Sequence, residues 1–177
     1  MSREEAIAQA QALVDDGAFE DVMAQWVAIE STSQEESRFE ELERYLEEAI
    51  VPAVEALGCE WEIHDNPVDG GGPYLIAGRQ EGEDLETVLV YGHGDTVQGQ
   101  DDRWDDELEP WVTTRDGDRL YGRGTADNKG QHAINLLSLL TVLETKGALG
   151  FNLRILIGTS EETGSRGLRE FATEQKE

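Results

Sequence analysis

The sequence predicts an α/β fold, with a mostly parallel or mixed central sheet and helices on both faces. Three observations predict it. Two short apolar, β-branched runs, Thr87–Tyr91 and Asn152–Gly158, read as buried strands. Between them, Ile134, Leu136, Leu137, Leu140 and Leu143 recur at helical spacing, so strand, helix and strand alternate as in a crossover unit. Each strand runs out into glycine followed by acids, with a histidine at the first, which sets reactive side chains along one edge of the sheet.

The elements follow in order. Ser2 caps a first helix with Glu5 in the reciprocal position, and Ala6, Ile7, Ala10, Leu13 and Val14 keep helical spacing up to Gly17. A second helix carries Val22, Trp26, Val27 and Ile29. Ser31-Thr32-Ser33 reads as a break and a new cap. A long helix then runs through Phe39, Leu42, Tyr45, Leu46, Ile50, Val54 and Leu57 to Gly58, with Pro52 expected to kink or divide it. Its glutamates (Glu40, Glu41, Glu43, Glu47, Glu48) read as a solvated face. Cys59 to His64 alternates like a strand, Asn66 to Pro73 is a flexible turn, and Tyr74–Gly78 is a strand. Thr87–Tyr91 is the expected central strand. Thr96 to Pro110 is a long acidic loop, and residues 111–121 make a hairpin across Asp116-Gly117-Asp118. The helix after Gly130 is apolar on most faces and expected to be buried, with Gly147 as its stop. A last helix runs from about Gly167 to Glu177. No internal repeat is visible.

Composition limits the partners. The 177 residues carry 39 Asp and Glu against 14 Lys and Arg, a net charge of −25. That argues against nucleic acid and anionic membrane, both polyanions. The single cysteine, Cys59, allows no internal disulfide and reads as a small core residue. No apolar run reaches membrane-spanning length, and the start lacks the charge and hydropathy pattern of a signal peptide, so a cytoplasmic location is expected.

The chemistry concentrates in three stretches: Gly92-His93-Gly94-Asp95, Gly122-Arg123-Gly124-Thr125-Ala126-Asp127-Asn128-Lys129-Gly130, and Glu161-Glu162-Thr163-Gly164. His93, Asp95, Glu161 and Glu162 lie just past strand ends, and Asp127 enters the connecting helix on the same edge. One imidazole and four carboxylates on one rim need a positive centre, because crowded carboxylates otherwise protonate. A divalent metal supplies it. Imidazole and carboxylate without thiolate suit zinc, with cobalt or manganese also accommodated. The adjacent Glu161-Glu162 pair allows one carboxylate to bind metal and the other to act as a base toward water.

These three stretches, in this order and spacing, resemble the di-zinc exopeptidase and deacylase family, which includes aminoacylase, acetylornithine deacetylase, succinyl-diaminopimelate desuccinylase, glutamate carboxypeptidase and related dipeptidases. The resemblance spans roughly residues 88–171. It implies that His93 binds one zinc, Asp127 bridges two, Glu162 binds the other, Glu161 is the general base, and Asp95 orients His93. It implies hydrolysis of an amide bond in a peptide or N-acyl amino acid, by a zinc-exopeptidase-like catalytic domain. Family members are about twice as long. They add a further acidic ligand, a second histidine ligand and a lid or dimerisation domain, through which the full-length form is expected to pair as a homodimer. Residues 1–177 are therefore read as the N-terminal part of such a domain. His64 and His132 match no motif position and read as structural. The phrase from Gly124 to His132 leans, by the same resemblance, toward the peptidase branch.

Other readings of the same residues are weaker. Gly122-x-Gly124-x-x-Asp127 lacks the third glycine of a dinucleotide loop and would set an acid against the pyrophosphate. The acids of the long loop (Asp101, Asp102, Asp105, Asp106, Glu107) lack the EF-hand spacing. The reading that competes directly is of an inactive fragment that binds metal weakly.

Overall fold

The computed structural model describes residues 2–175. Among these residues, six α-helices pack around a four-stranded mixed sheet of order β1-β2-β6-β3. The helices are α1 (Arg3–Asp15), α2 (Ala18–Val27), α3 (Phe39–Tyr45), α4 (Val51–Ala56), α5 (Lys129–Lys146) and α6 (Leu168–Glu174). The sheet strands are β1 (Glu60–His64), β2 (Tyr74–Arg79), β3 (Thr87–His93) and β6 (Asn152–Gly158). A separate hairpin pairs β4 (Thr114–Asp116) with β5 (Arg119–Tyr121), turning on Gly117 at φ 59°.

Among the described residues one pair of strands is parallel. β3 and β6 run together from Thr87↔Asn152 to His93↔Gly158, so both strands end at the same rim, and α5 is the crossover between them. β1 and β2 join antiparallel. Leu75 and Ala77 of β2 and Leu153, Ile155 and Ile157 of β6 face a core built with Met23, Trp26, Tyr45, Leu46, Ile50, Val54 and Leu136. The opposite face is covered by α6, whose Phe171 ring stacks on Tyr74 at 4.4 Å.

The local signals explain most element ends. Ser2 and Glu5 form the reciprocal capping pair of α1. Gly58 and Gly147 take positive φ where helices stop. The long third helix is divided as Pro52 requires, and α3 passes through a π-helical turn, Leu46–Ile50, into α4. The Asn66–Pro73 turn is not loose. Asn66 donates to the carbonyls of Gly72 and Arg166 and accepts from Val68 N–H.

Three expectations change. β3 is not a central strand. Among the described residues it is the sheet edge, with Leu89 65%, Tyr91 44% and Val88 42% exposed. An apolar run marks a strand meant for two covered faces but does not say which neighbour is present. α5 is not buried all round, since Ile134 is 55% exposed. Ser31 and Ser33 cap no helix. They turn inward to the rim. The expected run of the last helix to Glu177 falls partly outside the described residues.

Candidate metal centre

The predicted side chains arrive on three separate segments. His93 is the last residue of β3. Glu161 and Glu162 open a 3-10 turn two residues after β6 ends. Asp127 lies in the loop entering α5, joined to Asn128 by a cis peptide bond. The structure brings these four together. His93 Nε2 is 2.9 Å from Asp127 Oδ1 and 3.8 Å from Glu161 Oε2. One ligand atom each from His93, Glu161 and Glu162 lies within 4.8 Å of the others.

Asp95 lies apart from these four. The strand pattern alone places it on the rim and the resemblance places it behind His93; it is fully buried beneath the rim. Its Oδ2 accepts from the Ser33 hydroxyl at 2.5 Å and from Glu162 N–H at 3.0 Å. Its Oδ1 accepts from Glu161 N–H at 3.1 Å and lies 3.4 Å from His93 Nδ1. His93 Nδ1 also donates to the Asp95 carbonyl at 3.0 Å. With Nδ1 held from behind, Nε2 is the nitrogen left to face a cation, the arrangement of a ligating histidine. Asp95 thus anchors both the imidazole and the Glu161-Glu162 turn.

The electrostatics favour a cation. Burial pulls the His93 imidazole down, yet the hydrogen bond and charge of Asp95, with Asp127 adding to them, raise it to about 9. Burial, and then repulsion from Asp127, raises the Glu162 carboxyl. A proton on His93 therefore stands where positive charge is wanted. One imidazole nitrogen and several carboxylate oxygens fit a borderline divalent ion in chemistry as well as in spacing.

Several supporting residues escaped sequence reading. Ser31 Oγ donates to Gly94 O at 2.7 Å, and Ser33 holds Asp95. Their partners lie more than 60 residues away, so no local pattern reveals them. Lys129 is fully buried, donating to Trp26 O and Ile29 O at 2.9 and 2.7 Å, and burial draws its ammonium down to about 7. Arg123 stacks on Trp104 at 5.4 Å and donates to Gly99 O, closing the long loop onto the Gly122–Asn128 segment.

These features define a class: a mixed-sheet domain with a group of side chains that could hold a metal beyond the ends of a parallel strand pair. The profile of peptidase family M20/M25/M40 matches residues 89–177, half of the chain, and the chain belongs to that family. It is 34% identical over 158 residues to acetylornithine deacetylase of Aliivibrio fischeri, covering 89% of this chain and 40% of that protein. It is 34% identical over 172 residues to human Beta-Ala-His dipeptidase, covering 90% of this chain and 33% of the relative. The structure superposes on human carnosine dipeptidase 1 with a TM-score of 0.88 at 27% identity, over 98% of this chain and 38% of the other. These relatives are hydrolases. The chain spans about 40% or less of the length of the curated relatives it matches. No helix among the described residues is long and apolar enough to cross a membrane.

Proposed function

We propose that these residues belong to the catalytic half of a zinc-dependent hydrolase that cleaves the amide bond of a dipeptide or an N-acyl amino acid. The observation that supports it most is the meeting of His93, Glu161 and Glu162 within 4.8 Å, with Asp127 at 2.9 Å from His93. His93 and Glu162 would each hold a zinc ion, and Asp127 would lie between two. Cobalt or manganese suits the same donors. Bound zinc supplies a positive centre that polarises the amide carbonyl and makes water acidic.

The chain's own residues do the rest. Asp95 keeps His93 Nε2 and the Glu161 backbone in place. Glu161 takes the proton from the attacking water as its oxygen adds to the carbonyl carbon. When the carbon–nitrogen bond breaks, Glu161 returns that proton to the leaving nitrogen, so it ends unchanged. The two branches of relatives match at the same 34% identity. The fold likeness to a dipeptidase supports the dipeptide. By family resemblance the longer protein pairs as a homodimer. A cytoplasmic setting suits the free, buried Cys59.

A second reading concerns the 177 residues alone. They supply three of the expected ligands and the base, over 40% of the deacetylase's length. Taken alone, this chain is expected to bind zinc weakly and turn over little.

The test is an assay of the longer protein on dipeptides and N-acyl amino acids. Activity should vanish with a chelator and return with zinc. Chelator-resistant hydrolysis, or none on either substrate class, would end the proposal.

Zinc binding should also depend on pH. Metal uptake must displace the His93 proton, held up to about 9. Affinity should therefore rise about tenfold per pH unit toward 9 and flatten above it, with one proton released per ion below that point. Stability alone cannot isolate this. His93, raised above its unfolded value, stabilises fully below about 6.5 and loses that contribution as pH climbs through 9. Lys129, lowered from 10.5 to about 7, gives the opposite slope over the overlapping range. Calorimetric titration in buffers of different ionisation enthalpy counts the proton directly. An affinity flat from pH 6.5 to 9 would contradict it.

A further inference from the structure

Asn128 stands at the start of α5 without doing what that place invites. An asparagine just before a helix ordinarily turns its side-chain oxygen onto a free amide of the first turn. Asn128 makes no such bond. The first turn is served in other ways. Gly130 N–H donates to Gly124 O at 3.2 Å, and the N–H groups of Gln131 and His132 donate to the Asn128 backbone carbonyl at 3.1 and 3.2 Å. The side chain is thereby released, on a backbone that α5 holds fast.

Its oxygen is used across the rim instead. Asn128 Oδ1 accepts from the backbone N–H of His93 at 3.2 Å and lies 3.2 Å from Nδ1 of the buried His132. The backbone amide can only donate, so the atom facing it is the side-chain oxygen and not the NH2 group. That amide is one the sheet leaves over. A pleated strand turns successive amides to opposite edges. Gly94 N–H turns to β6 and donates to Gly158 O at 2.8 Å. His93 N–H therefore turns to the outer edge of β3, where no strand pairs among the described residues. Gly92 leaves room for the contact, since a Cβ there would stand 3.0 Å from Asn128 Oδ1. Asn128 thus fills the place of a neighbouring strand's carbonyl at the last residue of β3.

We propose that Asn128 is a positioning residue for the metal centre, setting the separation of His93 and Asp127 through the backbone amide of His93. Asn128 follows Asp127 directly in the chain, and its oxygen grips the very residue that bears the imidazole. One short side chain with two rotatable bonds therefore ties the two segments whose side chains meet at 2.9 Å, His93 Nε2 to Asp127 Oδ1. Without that oxygen the end of β3 keeps its bond to β6 but loses its tie to the Asp127 loop. The functional meaning rests on the metal reading, while the hold on His93 is measurable without metal.

Asn128→Ala removes the oxygen and costs the helix no cap bond, since none is made. In the metal-free chain, hydrogen exchange of the His93 amide, read by NMR, should quicken about tenfold, the scale of one lost hydrogen bond. The adjacent Gly94 amide, bonded to Gly158 O, should keep its rate. Zinc affinity of the longer protein, measured with the metal alone, should fall about 10- to 100-fold. Asn128→Asp keeps the acceptor at the same size. It should hold His93 exchange at the wild-type rate and zinc affinity at or above the wild-type level. Asn128→Ser, whose hydroxyl is one atom too short to reach His93, repeats the loss should the alanine variant fail to fold. A purely structural Asn128 predicts that the His93 and Gly94 amides quicken together, or that zinc affinity stays at the wild-type level, and either result overturns the proposal. So does an Asn128→Asp variant that loses as much affinity as the alanine variant. Should the wild-type longer protein take up no zinc, the proposed function is what fails, and the two amides still decide whether Asn128 holds His93.

Discussion

Glu161→Gln is expected to abolish turnover in the longer protein, by about a thousandfold, while zinc stays bound. Glutamine keeps the size of glutamate and can still accept a hydrogen bond through its carbonyl, but it cannot take up a proton. The backbone of residue 161 would keep its place, because Asp95 Oδ1 holds that N–H at 3.1 Å. Glu162→Gln should behave differently and lose zinc first, with turnover falling as a consequence. The contrast matters because geometry alone does not separate the two: both carboxylates belong to the same close group with His93. Metal content by mass spectrometry and initial rates on one dipeptide suffice. Near-normal turnover in Glu161→Gln would remove its role as base. Loss of zinc in that variant, with retention in Glu162→Gln, would exchange the two assignments.

Asp95→Asn should be the most damaging change to the site's architecture. The carboxylate has two oxygens in use on two sides. One receives Glu161 N–H near His93, and the other receives Glu162 N–H and the Ser33 hydroxyl. Asparagine has one oxygen. Whichever way it turns, its NH2 group opposes an N–H donor in a fully buried place. A buried polar group left unsatisfied in this way costs about 1–3 kcal/mol. Zinc affinity should fall at least as far as for loss of any residue supporting a metal ligand, about 10- to 100-fold. Urea unfolding and a zinc titration measure the two effects. A variant within about 1 kcal/mol of wild type, still binding zinc normally, would show that Asp95 anchors nothing.

Much of this was legible in the chain because the signals are local. The capping pair at Ser2 and Glu5, the stops at Gly58 and Gly147, and the break near Pro52 each depend on residues a turn apart. The rim was legible for a similar reason: a strand followed by glycine and acids marks the end where ligands gather. The supports were not. Ser33 looks like a helix cap from its neighbours, and only the fold reveals that its partner is Asp95. His132 looked structural because it matched no motif. It is buried, with Nδ1 3.2 Å from Asn128 Oδ1 and Nε2 2.6 Å from the hydroxyl of Tyr45, a partner 87 residues away. The place of β3 was misjudged because an apolar sequence records the cover a strand is suited to rather than the neighbours beside it.

The edge position of β3 has a colloidal consequence. Among the described residues no strand pairs with its outer edge, and that edge with the exposed Val88, Leu89 and Tyr91 forms a template on which another extended segment can settle. What opposes this is the chain's charge of −25, which keeps copies apart at long range. That repulsion reaches about 30 Å at 0.01 M salt and only about 3 Å at 1 M. Ionic strength therefore governs whether molecules of this chain approach closely enough for the strand to recruit a neighbour. Dilute buffer is the medium in which it stays dispersed.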